Sequence, residues 1–147
     1  MNKLTTELRC RSVAPAYIKI FNVESDWGDS WTYETVMPYL RGELGNKGLV
    51  FKSRSDLSYF SYAFAWAYEK TFGQVADSKY LGATKTIQSA KDAANDQLGI
   101  TKDEKVLYLS ECAVRQKQRE RGYGSGFVES IRQTANRKRI KLILRTL

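Results

Sequence analysis

Residues 58–69 alternate more strictly than any other stretch of this chain. Phe60, Tyr62, Phe64, Trp66 and Tyr68 fall on one side of an extended segment, and Ser61, Ala63, Ala65 and Ala67 fall on the other. A strand with one large aromatic face and one small face needs a packed layer on each side. The simplest arrangement is a central strand with a helix lying close on the alanine face; the alternative is an acceptor pocket lined by the aromatics. Either way the chain needs a sheet covered by helices. The 147 residues, 42% of them hydrophobic, suffice for one such domain with a single core.

The rest of the pattern supplies candidate layers. Residues 7–13 alternate and read as a first strand, and residues 14–24 place Ile18 and Phe21 at helical spacing. A second helix is expected from Trp31 to Leu44, capped by Ser30 and ended by Gly42 and Gly45. Residues 48–54 read as a strand, followed by a turn at Arg54-Ser55-Asp56. Residues 72–104 are polar and carry Gly73, Gly82 and Gly99, with a weak helix from about Thr84 to Leu98. They read as an excursion between two strands. Residues 105–114 form the next strand, 115–121 a basic loop, 124–137 a helix with Phe127, Val128, Ile131 and Ala135 on one face, and 139–144 a last strand.

Charge and composition narrow the function. The net charge is +8, and all of the excess lies in residues 115–147, which hold ten Lys/Arg and two Glu. An anionic partner at that end is expected, either a phosphate-bearing cofactor or nucleic acid. The chain has no His, so imidazole catalysis is excluded; a general base would be a carboxylate, Tyr, Lys, Cys or a water chain. Cys10 and Cys112 are far apart, lack a metal spacing and read as reduced thiols, so no metal is expected. No apolar run approaches the ~20 residues of a membrane span. The N-terminus lacks the apolar core of a signal peptide, so cytoplasmic residence is the expectation.

The basic loop joins a strand to a helix, with Gly122, Gly124 and Gly126 at the junction. A helix start leaves N–H groups unpaired and carries partial positive charge, and glycines let backbone approach a phosphate. The P-loop pattern GxxxxGK followed by Ser or Thr is absent. The dinucleotide pattern GxGxxG also fails, because Phe127 stands at its third glycine.

The run Val106–Ser125 resembles the acetyl-CoA signature of the GNAT superfamily of N-acetyltransferases, whose core is Gln/Arg-x-x-Gly-x-Gly/Ala. Here it reads Arg119-Glu120-Arg121-Gly122-Tyr123-Gly124, preceded by a strand ending Cys112-Ala113-Val114. The order of elements over roughly 7–69 and 104–147 is similar too. The resemblance implies an α/β (α+β) fold, a mixed central sheet flanked by helices. It implies one GNAT-like domain over 1–147, with an insertion at about 72–104. It also implies acetyl-CoA as cosubstrate and direct transfer of the acetyl group to a primary amine.

Position by position, the backbone of Cys112, Ala113 and Val114 would pair with the pantetheine arm, and a backbone N–H near Val114 would polarise the thioester. Arg119, Glu120, Arg121, Gly122, Tyr123, Gly124, Ser125 and Gly126 would hold the pyrophosphate, with Arg115, Lys117 and Arg119 neutralising phosphates. Glu111 is the candidate base and Tyr108 a candidate proton shuttle. Simple alternation places Glu111 on the face opposite Tyr108, Ser110 and Cys112 unless a bulge intervenes. Structural roles for Glu111, Tyr108 and Cys112 remain alternatives.

The family continues past the last strand with a helix, which often bears a Tyr, and two more strands. The sequence ends at Leu147 without them. Residues 72–104 covering the open edge, a homodimer completing it, and a truncated chain are the three expectations. Two functional alternatives stand beside the enzyme. One is a degenerate GNAT domain that binds coenzyme A or a protein partner; the other is a nucleic-acid module using Arg115–Arg121 and Arg137-Lys138-Arg139. Asp26-Trp27-Gly28-Asp29-Ser30-Trp31 loosely resembles the acceptor side of family members that modify protein N-termini.

Overall fold

The computed structural model describes residues 2–76 and 99–144. Four strands lie in the order β1 (Val50–Arg54), β2 (Ala63–Thr71), β3 (Lys105–Val114) and β4 (Lys141–Ile143). The first two pairings are antiparallel and the last is parallel. Helices α1 (Lys3–Lys19) and α2 (Tyr33–Leu44) cover one face, and α4 (Tyr123–Lys138) covers the other. The short α3 (Phe72–Ala76) follows β2 directly. The expected weak helix near Thr84–Leu98 lies outside the described residues.

The two-faced strand organises both layers. Phe64, Trp66 and Tyr68 pack with Cys10, Val13 and Tyr17 of α1 and with Val36, Met37 and Leu40 of α2. On the other face Ala65 and Ala67 meet Ile131 and Ala135, so the small side chains let α4 approach the sheet. The strand is shorter than its alternation suggests: Phe60 lies before it and is half exposed. Leu40 is fully buried, and Leu40→Ala is expected to lower stability by about 3 kcal/mol, read from urea melts.

The N-terminal segment corrects the sequence expectation. Residues 7–13 are helical, part of one continuous α1 that runs through Pro15. Cys10, Val13, Tyr17 and Ile20 recur at helical spacing and all are buried. The carbonyl that Pro15 leaves unpaired belongs to Arg11, an exposed position where water can satisfy it. Helix α1 ends in a π-helical turn, Ile20–Glu24. Helix α2 begins two residues later than expected, with Thr32 rather than Ser30 as its cap: Thr32 accepts from the Thr35 N–H, and Thr35 returns the bond. Trp31 stays outside because Asn22 binds its N–H and carbonyl, each at 2.8 Å.

The two ends of the expected excursion meet. Phe72 N–H donates to Glu104 O at 2.9 Å, and Phe72, Val75 and Ile100 pack on Val106. No helix among the described residues is long and apolar enough to cross a membrane.

Candidate active site at the split between β3 and β4

The site begins with a mismatch in strand lengths. β3 runs to Val114, but β4 pairs only with Val106, Leu107 and Tyr108. Beyond Tyr108 that edge of β3 has no strand partner among the described residues. Arg115 N–H donates to Tyr62 O at 2.8 Å on the β2 side. Alternation then turns the N–H and C=O groups of Cys112 and Val114 toward the open edge. Arg119 Nε reaches Val114 O at 3.1 Å from that side.

The open edge runs into the start of α4. Gly122 is the N-cap and supplies no side-chain cap, so among the described residues the N–H groups of Tyr123, Gly124 and Ser125 at the helix start have no intrahelical partner. Gly122 adopts φ +81°, and Glu120 before it φ +66°, which folds the loop back onto the helix end. A Cβ at Gly122 has open space around it, so its requirement is conformational. Gly122→Ala should cost about 1 kcal/mol in thermal or chemical melts, the usual cost of a left-handed L-residue. At Gly124 a Cβ would sit at ordinary contact, 3.8 Å from Cys112 Sγ, and at Gly126 it would meet nothing. The fold itself does not demand glycine at these two positions; they leave clear space in front of the helix end.

An open cleft of about 370 Å³ lies between these parts. Cys112, Ala113, Val114, Arg119 and Gly124 line one side. Ile20, Phe21 and Ser25, from the π-helical turn and just after it, line the other. Sequence reading missed that second wall because it placed no function on the end of α1.

The basic loop is pinned rather than free. Arg115 pairs with Glu24 at 3.1 Å, and the Gln116 N–H donates to Glu24 Oε1 at 3.0 Å. Burial opposes ionisation of Glu24, but these partners outweigh it and hold the carboxyl below its usual range. Arg115 and Arg119 thus also anchor the loop itself. Lys117 and Arg121 are exposed. At the rim the Arg54 guanidinium lies 5.5 Å from the Tyr123 ring centroid, and Tyr62 OH donates to Tyr123 OH at 3.5 Å. That hydrogen bond, with help from Arg121 and Arg54, brings the Tyr123 phenol below its ordinary pKa.

The candidate base is placed by a bulge. Trp66 pairs with Glu111 while Ala67 pairs with Leu109, so Ser110 is an extra residue on β3. Opposed residues share a face, which puts Glu111 with Trp66 and Tyr108 with Tyr68 on the α1–α2 side. The bulge that simple alternation allowed as an exception is present, so Glu111 and Tyr108 share a face. Cys112 instead faces α4, with Sγ 4.0 Å from Gly124 O. The rings of Tyr108 and Tyr68 lie 5.9 Å apart.

Glu111 makes no hydrogen bond or ion pair among the described residues. Burial, and then the nearby carboxylates of Glu43 and Asp29, push its pKa up to about 8. Cys112 is exposed at the cleft, yet the protein packed around it, followed by the charge of Glu111, raises its thiol, which disfavours it as a nucleophile.

No protein-family model and no curated protein matches this sequence. Solved structures do resemble it. A structure described as a probable acetyltransferase aligns over 100% of this chain and 76% of its own, with TM-score 0.60 and 14% identity. The ribosomal-protein-alanine N-acetyltransferase of Brucella melitensis aligns over 96% and 76%, with TM-score 0.55 and 12% identity. A predicted acetyltransferase from Clostridium acetobutylicum, solved with acetyl-CoA, aligns over 97% and 73%, with TM-score 0.51 and 16% identity.

The fold is that of the GNAT acetyltransferases. Within this GNAT fold, the split of β3 from β4, the bulge at Ser110 and the glycine-rich start of α4 lie in one continuous line along β3 and its following loop.

Proposed function

We propose that this chain is an acetyl-CoA-dependent N-acetyltransferase that transfers acetyl directly to a primary amine. The observation that carries the proposal is the open edge of β3, which leads into an uncapped, glycine-lined helix start. The described residues suit an extended amide arm ending in a pyrophosphate. The Cys112 backbone and the Val114 N–H offer pairing to the arm, and the N–H groups of Tyr123, Gly124 and Ser125 meet anionic oxygens without an intervening side chain. Acetyl-CoA supplies the activated acetyl thioester.

The chain's own residues handle the proton. Acyl transfer forms an N–C bond, breaks the C–S bond and requires a neutral amine, whereas a free lysine amine has a pKa of about 10.4. Glu111 takes the amine proton directly or through water, and a pKa near 8 makes it a stronger base than an exposed carboxylate. The N–H groups on the β3 edge polarise the thioester carbonyl. Tyr108, which shares a face with Glu111, is the proposed proton shuttle.

The resemblance to a ribosomal-protein-alanine N-acetyltransferase makes peptide N-termini the first acceptors to test. The direct test is release of free thiol from acetyl-CoA with a panel of peptides and small amines. Turnover above the no-amine rate supports the enzyme. Tight acetyl-CoA binding with no turnover on any amine supports a degenerate coenzyme A binder instead. The nucleic-acid reading has less support, because Arg115, Lys138 and Lys141 are engaged by Glu24, Glu69 and Glu104.

A further inference from the structure

Glu43, in the last turn of α2, has surroundings that helix stability does not explain. A carboxylate at a helix C-terminus opposes the helix dipole, and no cation pairs with Glu43 among the described residues. Three hydroxyl groups from three elements converge on it instead. Tyr39 OH of α2 donates to Oε1 at 3.2 Å, and Tyr68 OH of β2 donates to Oε2 at 2.8 Å. The third donor is Ser110 Oγ, which also binds Oε1. Ser110 is the extra residue of the β3 bulge, and Tyr68 OH lies 3.4 Å from its hydroxyl. Glu43 therefore grips the one residue whose insertion turns Glu111 to the α1–α2 face.

We propose that Glu43 is the positioning residue for Glu111: it clamps the bulge through Ser110 and presents a second carboxylate to the Glu111 side chain. The proposal rests on the reading of Glu111 as the base. The titratable groups on Glu111's side of the sheet are Glu43 and Tyr39 from α2, Tyr17 from α1, Asp29 from the segment between those helices, Tyr68 from β2 and Tyr108 on its own strand. None is a cation, so nothing in the set favours the Glu111 carboxylate, and Glu43 is the largest charged contributor against it. A substrate ammonium arriving there would find a carboxyl held ready to accept a proton near neutral pH.

The test is Glu43→Gln, which keeps the side chain's shape and its acceptor oxygen but removes the charge. The Glu111 carboxyl is followed by carbon NMR through a pH titration, assigned by its absence in Glu111→Gln. In Glu43→Gln the Glu111 inflection should fall by on the order of one pH unit, and the inflection in kcat/KM should fall with it. The KM for acetyl-CoA should stay within about twofold, because Glu43 does not line the cleft. A folded Glu43→Gln protein whose Glu111 inflection stays put overturns the proposal. Ser110→Ala is the second variant, for the case in which Glu43→Gln does not fold. It retains both charges but frees Glu43 to relax into solvent, so the inflection should again move down. An inflection that does not move in Ser110→Ala overturns the clamp. Wild-type turnover in Glu111→Gln would remove the base reading alone, and the NMR titration would still decide what Glu43 does to Glu111.

Discussion

Gly124→Glu should lose acetyl-CoA binding by at least on the order of a hundredfold in calorimetry while remaining fully folded. The two halves of that expectation have separate physical sources. A Cβ at Gly124 meets only Cys112 Sγ at 3.8 Å, an ordinary contact, so the backbone there accepts a side chain. An acidic residue in the first turn of α4 favours the helix, whose start has no acidic residue and no side-chain cap. The melting temperature should therefore hold or rise slightly. The same carboxylate would enter the space in front of the Tyr123–Ser125 amides and repel a pyrophosphate. Gly124→Ala, with the methyl but no charge, should retain most of the affinity. If Gly124→Glu bound as tightly as wild type, the helix start would not be the phosphate site.

Glu111→Gln should reduce kcat by about 10²- to 10³-fold, the range of a lost general base, with little change in the KM for acetyl-CoA. Wild-type activity should rise with pH through an inflection near 8, because the carboxyl must ionise before it can accept the amine proton. That inflection should vanish in the variant.

Stability should move the opposite way. The folded pKa of Glu111 lies above its unfolded value, so the native state binds the extra proton between pH ~4.5 and 8. Its contribution is intact below the unfolded pKa and is lost as pH rises through 8. Glu111→Gln never ionises, so it should melt higher than wild type at pH 9 and close to wild type near pH 4. A variant less active and also less stable at pH 9 would mark Glu111 as a structural residue. The expected combination, slower but more stable, is what an active site that holds a carboxyl in an unfavourable environment produces.

The parts of this fold legible in sequence are those where a local pattern and its tertiary partner agree. Ala65 and Ala67 opposite Phe64 and Trp66 announce a strand with a close helix on one side, and α4 is that helix. The Lys105–Val114 strand and the glycine-rich start of α4 are readable from apolar run and turn chemistry alone. Helix α1 was obscured because Leu8, Cys10 and Arg9, Arg11 alternate by chance over a window that stops short of Pro15. The helical repeat Cys10, Val13, Tyr17, Ile20 emerges only when the window crosses that proline.

The bulge carries no glycine or proline to signal it. It is held by Glu43, 67 residues away, so no local reading of β3 could turn Glu111 to the correct face. The cleft wall at Ile20, Phe21 and Ser25 depends on the π-helical end of α1, whose sequence has no distinctive mark. Charge was legible as a surplus in residues 115–147, but its employment was not. Arg115 answers to Glu24, far back along the chain, and that pair fixes the loop on which the candidate site depends.

The open edge of β3 and the start of α4 are proposed to form a coenzyme A site. Amide NMR of the wild-type protein during titration with acetyl-CoA tests it most directly. Saturable shifts concentrated at Cys112, Val114 and Tyr123–Ser125 are expected, with the turn between α2 and β1 around Asn46, toward the far end of α4, unmoved. Saturation with shifts elsewhere, or no shifts at millimolar acetyl-CoA, would contradict it.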